Sequence, residues 1–248
     1  YDLYSERRKL NKIPFRESCI KIANKILVDS DEGVKYLESK YPNYSKKYIL
    51  TKNFCFNKNK KTAKSSDKIL RIVTVSRIHP VKRIPLLIER LKEIEEISDF
   101  NLIYNHIGGG EGLDEIYDLV KKLKFKRFKI NLMGQMTQEN VQYFFENNTI
   151  DVLINVSTSE GGNIAVIEAL SYSVPVIVTK VGGNIKIGEY LGTLLKIDFS
   201  SQELGCYFKK IISNSEYLDE LKIKSLKFWH ENHSDVSVKN KFIQNFML

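Results

Sequence analysis

The chain has 248 residues, 42% of them hydrophobic and 11% aromatic, enough for a sizeable core in one large domain or two small ones. Its net charge of +9 comes without an aromatic-interleaved basic motif, so nucleic acid is not the expected partner. No apolar run reaches membrane-span length, no signal-peptide pattern opens the chain, and Cys19, Cys55 and Cys206 are too widely spaced for a disulfide framework or a metal site. A reducing cytoplasm is the natural reading.

Tyr1 opens inside a helical pattern, as a fragment of a longer protein would. Basic residues gather in Arg7, Arg8, Lys9, Lys12, Arg16 and Lys21 and again from Lys58 to Lys68. Both runs read either as solvated faces or linkers, or as surfaces drawn to anionic lipid headgroups or a diphosphate-bearing substrate. Ile13 to Ala23 reads as a helix, Lys25–Val28 as a short strand, Asp31 to Lys40 as a second helix and Tyr48–Lys52 as another strand. Lys58–Lys68 is polar and basic, a flexible linker by composition. From Ile69 the pattern changes. Strands are expected at Leu70–Val75, Leu102–Ile107, Lys129–Met133, Val152–Val156, Val176–Thr179 and Thr193–Ile197. Amphipathic helices separate them, with Leu87, Ile88, Leu91 and Ile94 on one face, then Leu113, Ile116, Val120 and Leu123, then Val141, Phe144 and Phe145 within Gln138–Asn147. After Ser200 the chain is helical to its end, the last helix running from about Asp235 to Met247. Such alternation predicts an α/β, doubly wound parallel sheet of the Rossmann-like kind.

The chemistry concentrates at Ser159-Glu160-Gly161-Gly162-Asn163-Ile164 and, one turn on, at Glu168. The apolar run Asp151–Val156 precedes this turn and a helix follows it. A glycine turn opening a helix presents backbone N–H groups that suit an anion such as phosphate. A carboxylate on either side can accept hydrogen bonds from a polyol, so the pattern suits a nucleotide-sugar. Read blandly, Glu160 is a helix N-terminal acid and Glu168 a solvated one. A glycosidase pair is the other chemistry two carboxylates suggest. Gly108–Gly112 lacks the third glycine of a dinucleotide fingerprint and the Lys-Ser/Thr of a P-loop, and reads equally well as a plain turn. His79 and His106 have no ligand set around them, and His230 and His233 read as structural.

The Glu-x7-Glu segment, with Pro175–Thr179 and Val181-Gly182-Gly183-Asn184, resembles the signature of retaining family 4 glycosyltransferases of the GT-B fold. Ile72–Lys82, Asn105–Glu111 and Asn131–Gln135 resemble other family motifs in the right order, over roughly residues 25 to 247. The resemblance implies that Arg77 and Lys82 grip the donor diphosphate and that Glu160 contacts the transferred sugar. It implies that Gly161, Gly162, Asn163 and Ile164 cradle the donor and that Glu168 holds the ribose. Gly108, Gly134 and Gln135 would line the same crevice. It implies a UDP-sugar or GDP-sugar donor without a metal or other cofactor, and a glycan or lipid-linked acceptor. Residues 1–52 would then close an N-terminal acceptor domain, 53–68 form the linker, 69–234 the donor domain and 235–248 a crossover helix whose apolar surface favours self-association. Arg83 and Asn163 stand where relatives carry glycine, and Asn53-Phe54 where they carry Asn-Gly. Arg83 is expected to add a third charge or to face solvent. Surface-glycan synthesis at the inner face of a membrane is the expected setting. A GT-B epimerase or phosphorylase and a silent nucleotide-sugar-binding module are the competing readings.

Overall fold

The computed structural model describes residues 16–57, 60–62 and 67–247. The basic run before Arg16, and part of the one between Lys58 and Lys68, lie outside them. The first elements are α1 (Arg16–Ile22), β1 (Ile26–Val28), α2 (Asp31–Lys40) and β2 (Tyr48–Leu50). β1 and β2 pair in parallel as their own two-stranded sheet, over a small core of Ile20, Val28, Leu37 and Tyr48. α2 starts where it does because the Ser30 side chain accepts from the Gly33 N–H, satisfying one of the donors every helix start leaves open.

The remainder is built on β3 (Ile69–Val75), α3 (Ile84–Ile97), β4 (Asn101–Ile107), α4 (Leu113–Leu123), β5 (Phe128–Leu132), α5 (Gln138–Asn147), β6 (Val152–Asn155), α6 (Ile164–Ser171), β7 (Val176–Thr179), α7 (Asn184–Leu191), β8 (Leu194–Leu195), α8 (Ser201–Ser213), α9 (Ser215–Asn232) and α10 (Asp235–Met247). The six strands β3 to β8 lie parallel in the order β5-β4-β3-β6-β7-β8. Two apolar cores sandwich them. α3, α4 and α8 cover one face through Leu87, Leu91, Ile116 and Phe208, whereas α5, α6, α7 and α9 cover the other through Phe145, Ile167, Ile187 and Trp229. β6 and β7 are buried along their whole length, as strands covered on both faces must be. Strand order reverses between β3 and β6, so the crevice beyond their carboxyl ends is where this architecture receives ligands.

Three expectations need correction in detail. β6 stops at Asn155 and β8 is only two residues long, and the Arg83 guanidinium takes a carbonyl just beyond each. Its Nε donates to Val156 O at 2.6 Å and one terminal nitrogen donates to Ile197 O at 2.7 Å. Two of the guanidinium nitrogens of Arg83 are thus committed to carbonyls, and its backbone sits in the left-handed region at φ 52°. The described part of the linker is not a free tether either. Asn57 Nδ2 donates to Ser171 O at 2.6 Å, Thr62 N donates to Tyr172 O at 3.3 Å, and Lys60 pairs with Glu146.

Candidate functional site

The site is a set of loops at the carboxyl edge of the sheet, and backbone contacts hold them together. After β3, Ser76 N donates to Ile107 O at 3.0 Å and Ile78 N to Gly109 O at 2.8 Å. After β4, Gly108 N donates to Gly134 O at 2.8 Å, which ties in the loop after β5. These approaches need glycine. A Cβ on Gly108, at φ +148°, would lie 1.8 Å from Ser76 O, and one on Gly110 would lie 2.6 Å from Ile78 O. The glycine run thus works by letting two loops touch. The loops after β6 and β7 meet in the same way, for a Cβ on Gly182 would lie 1.8 Å from Glu160 O.

Glu160 is at the centre of the side-chain chemistry. Lys82 Nζ, brought round by a short 3-10 turn over Pro80–Lys82, donates to Glu160 Oε1 at 2.6 Å. Asn155 Nδ2, at the end of β6, donates to the same oxygen at 2.9 Å. Asn155 Oδ1 accepts from Asn184 Nδ2 at 3.0 Å, and Asn184 Oδ1 accepts from Asn163 Nδ2 at 3.2 Å. One polar chain therefore runs Lys82–Glu160–Asn155–Asn184–Asn163 and ends on the residue whose Oδ1 caps α6. Thr158 N donating to Val81 O at 2.9 Å fastens the Lys82 turn to the Glu160 loop. A carboxylate fixed this way keeps its second oxygen available in a predetermined direction. The family resemblance implies that Lys82 and Glu160 serve different parts of a ligand, and the structure joins them as an ion pair.

The other expected residues divide. Arg77 stands exposed just past β3, and no ion pair among the described residues engages it. Gly134, at φ 70°, and exposed Gln135 border the glycine run, with Gln135 Cβ 3.2 Å from a Cβ placed on Gly109. Gly161 and Gly162 are partly exposed ahead of α6, and Ile164 is exposed at its first residue. Glu168, only 6% exposed, is no solvated acid. Burial raises its pKa, and a hydrogen bond from Gln138 at the start of α5 partly opposes the rise. Among the described residues, no three His, Cys, Asp or Glu side chains gather as a metal site.

Several residues at the site have no role in the sequence-based expectations. Asn155 was legible as the lone amide ending an apolar run. Asn184 stands in a stretch that resembles a family motif, but its side-chain role is not written there. Asp29 and Asn53 come from the first fifty-odd residues yet touch the glycine loop. Gly162 N donates to Asp29 Oδ2 at 3.2 Å, and Asn53 Nδ2 donates to Gly162 O at 3.1 Å. Nearby, His233 Nδ1 lies 2.8 Å from Asn53 O, and burial lowers the His233 pKa to about 4. A cleft lined by Asp29, Asp31, Lys52, Gly161, Gly162 and Lys186 opens between the two parts of the chain.

Comparison with known proteins matches this architecture. The chain is 26% identical over 175 residues to a probable sucrose-phosphate synthase of Vicia faba, an alignment covering 64% of this chain and 16% of the plant protein. The structure superposes with a TM-score of 0.76 and 18% identity on TarM of S. aureus, a mutant form solved with Fondaparinux, α-GlcNAc-glycerol and UDP. That superposition covers 92% of this chain and 45% of TarM. The apo lipopolysaccharide outer core galactosyltransferase WaaB gives a TM-score of 0.71 at 19% identity, over 92% of this chain and 63% of WaaB. The chain thus spans less than two thirds of each of these proteins. The sheet is the Rossmann-like domain of a GT-B glycosyltransferase. The family model for glycosyl transferases group 1 matches residues 56–228, well over half of the sequence, and the chain belongs to that family.

Proposed function

We propose that this chain is the donor-binding part of a glycosyltransferase that moves a sugar, with retention, from a UDP-sugar or GDP-sugar to a glycan or lipid-linked acceptor in surface-glycan synthesis. The observation that carries the reading is Glu160, held by Lys82 and Asn155 at the head of a glycine turn in the topological crevice. The free oxygen of Glu160 receives hydroxyls of the donor sugar. Lys82 and Arg77 face the diphosphate, whose charge grows as the sugar leaves, so they favour the transition state over the ground state. Helix α6 adds its N-terminal amides, and Glu168 takes the ribose by exchanging Gln138 for the diol. In the transfer step the acceptor oxygen bonds to the anomeric carbon on the face the diphosphate leaves. The bond from that carbon to the phosphate oxygen breaks, and the acceptor's proton passes to that oxygen. No protein nucleophile and no metal is required.

UDP bound to TarM, and the lipopolysaccharide role of WaaB, support a nucleotide-sugar donor and a surface-glycan acceptor. No helix among the described residues is long and apolar enough to cross a membrane. Thermal shifts with UDP-, GDP- and ADP-sugars test the donor. A ligand at a hundred times its Kd adds about 2.7 kcal/mol, and a flat panel would exclude the reading.

A further inference from the structure

The Gly162 amide is already occupied by an anion of the protein. Asp29 follows β1, and its Oδ2 accepts from Gly162 N at 3.2 Å. A Cβ on Gly161 would lie 3.0 Å from that same oxygen, and one on Gly162 would lie 2.1 Å from Asn53 Nδ2. The two glycines thus admit two side chains from the segment preceding the sheet, one taking the loop's N–H and the other donating to its carbonyl. A carboxylate oxygen has the charge and the acceptor character of a phosphate oxygen, and the N–H it holds opens the same turn that heads α6. Asp29 belongs to the small β1–β2 unit, whose apolar core is separate from both cores of the large sheet. Its carboxylate can leave the turn without opening either of those.

We propose that Asp29 sets the affinity of the donor site. Its carboxylate holds the Gly162 amide in the place of an anionic group of the nucleotide, so the donor binds by displacing Asp29. The proposal rests on the donor-site reading above. Donor binding then replaces the Asp29 contact at Gly162 N, so the nucleotide gains less than it would at an unoccupied amide. The sequence offers no hint of this, because Asp29 lies more than a hundred positions before the turn.

The test compares nucleotide binding by the wild-type chain, Asp29→Asn and Asp29→Ala, using calorimetric titration with UDP, GDP and ADP. Removing the competing anion is expected to tighten binding of the preferred diphosphate by about tenfold in Asp29→Ala, the effect of one hydrogen bond to a charged group. Asp29→Asn keeps an acceptor but no charge, and falls between Asp29→Ala and wild type. A carboxylate that merely braces the loop gives the opposite ranking, with Asp29→Ala weakest and Asp29→Asn restored towards wild type. That ranking, or equal affinities, overturns the proposal while leaving the donor site intact. Nucleotide binding seen only in the variants supports it. Absence of binding in all three chains, each still melting cooperatively, overturns the donor-site reading together with the proposal. If Asp29→Ala does not fold, the sign of the change in Asp29→Asn decides.

Discussion

Replacing Glu160 by Gln separates the stabilising part of the site from its ligand-binding part. The Lys82–Glu160 pair is 2.6 Å long, and its side chains are 25% and 8% exposed. It lies between a surface pair, whose contribution is about 0–1 kcal/mol, and a buried one, whose breakage costs about 3–5 kcal/mol. The oxygen shared by Lys82 and Asn155 makes Glu160 the junction of the polar chain. Gln keeps the shape and the acceptor for Asn155 but leaves the ammonium without its counter-charge. We expect a loss of about 2 kcal/mol, which for a chain of this size lowers Tm by about 4–8 °C. Denaturant unfolding and calorimetry should agree on that value, and high salt should shrink it. A double-mutant cycle with Lys82→Met should then return a coupling above about 1 kcal/mol. Binding of the free nucleoside diphosphate should hold or tighten, since Lys82 is released towards it, while turnover of the intact sugar donor falls. A stability loss under about 0.5 kcal/mol, or a tenfold weaker diphosphate, would refute the reasoning about Glu160.

Gly108→Ala should cost more than about 3 kcal/mol and disturb nucleotide binding, because the new methyl collides with the Ser76 carbonyl at a φ that disfavours any side chain. Urea unfolding measures it, and a neutral result would mean that the two loops do not touch. Burial lowers the pKa of both His106 and His233 to about 4, so below pH 6.5 the unfolded chain takes up protons that the folded one refuses. Stability should therefore fall by roughly 3 kcal/mol per histidine as pH drops from 6.5 to 4. Unfolding series in His106→Gln and His233→Gln should lose that slope one histidine at a time. Glu168→Ala should weaken the free nucleoside diphosphate by about 1–3 kcal/mol, from lost ribose hydrogen bonds. Equal weakening by Glu160→Ala would remove the division of roles.

Elements whose boundaries are written in contiguous residues were legible from the sequence. Asp31–Lys40 and Gln138–Asn147 start where expected because Ser30 and Thr137 cap their first turns, each accepting from an N–H three residues on. The alternation of apolar strand and helix patterns from Ile69 was enough for a parallel sheet, since each period matches one element and parallel neighbours need a helical crossover between them. The glycine turn with its two glutamates was legible for the same reason, being a contiguous stretch. Tertiary structure decided whatever depends on residues distant along the chain. Arg83 came to bridge the carbonyls just beyond β6 and β8, more than seventy positions away, where propensity alone would have continued both strands. Asn155 and Asn184 became one polar chain only when β6 and the start of α7 came together. The burial of Glu168, with Gln138 of α5 donating to it, settles against the solvated reading, which its own segment could not decide. Asp29 reached Gly162 across 133 positions, a contact that no local pattern encodes. Propensity and periodicity act over a turn or two, whereas a hydrogen bond between distant residues exists only after the intervening sheet has closed.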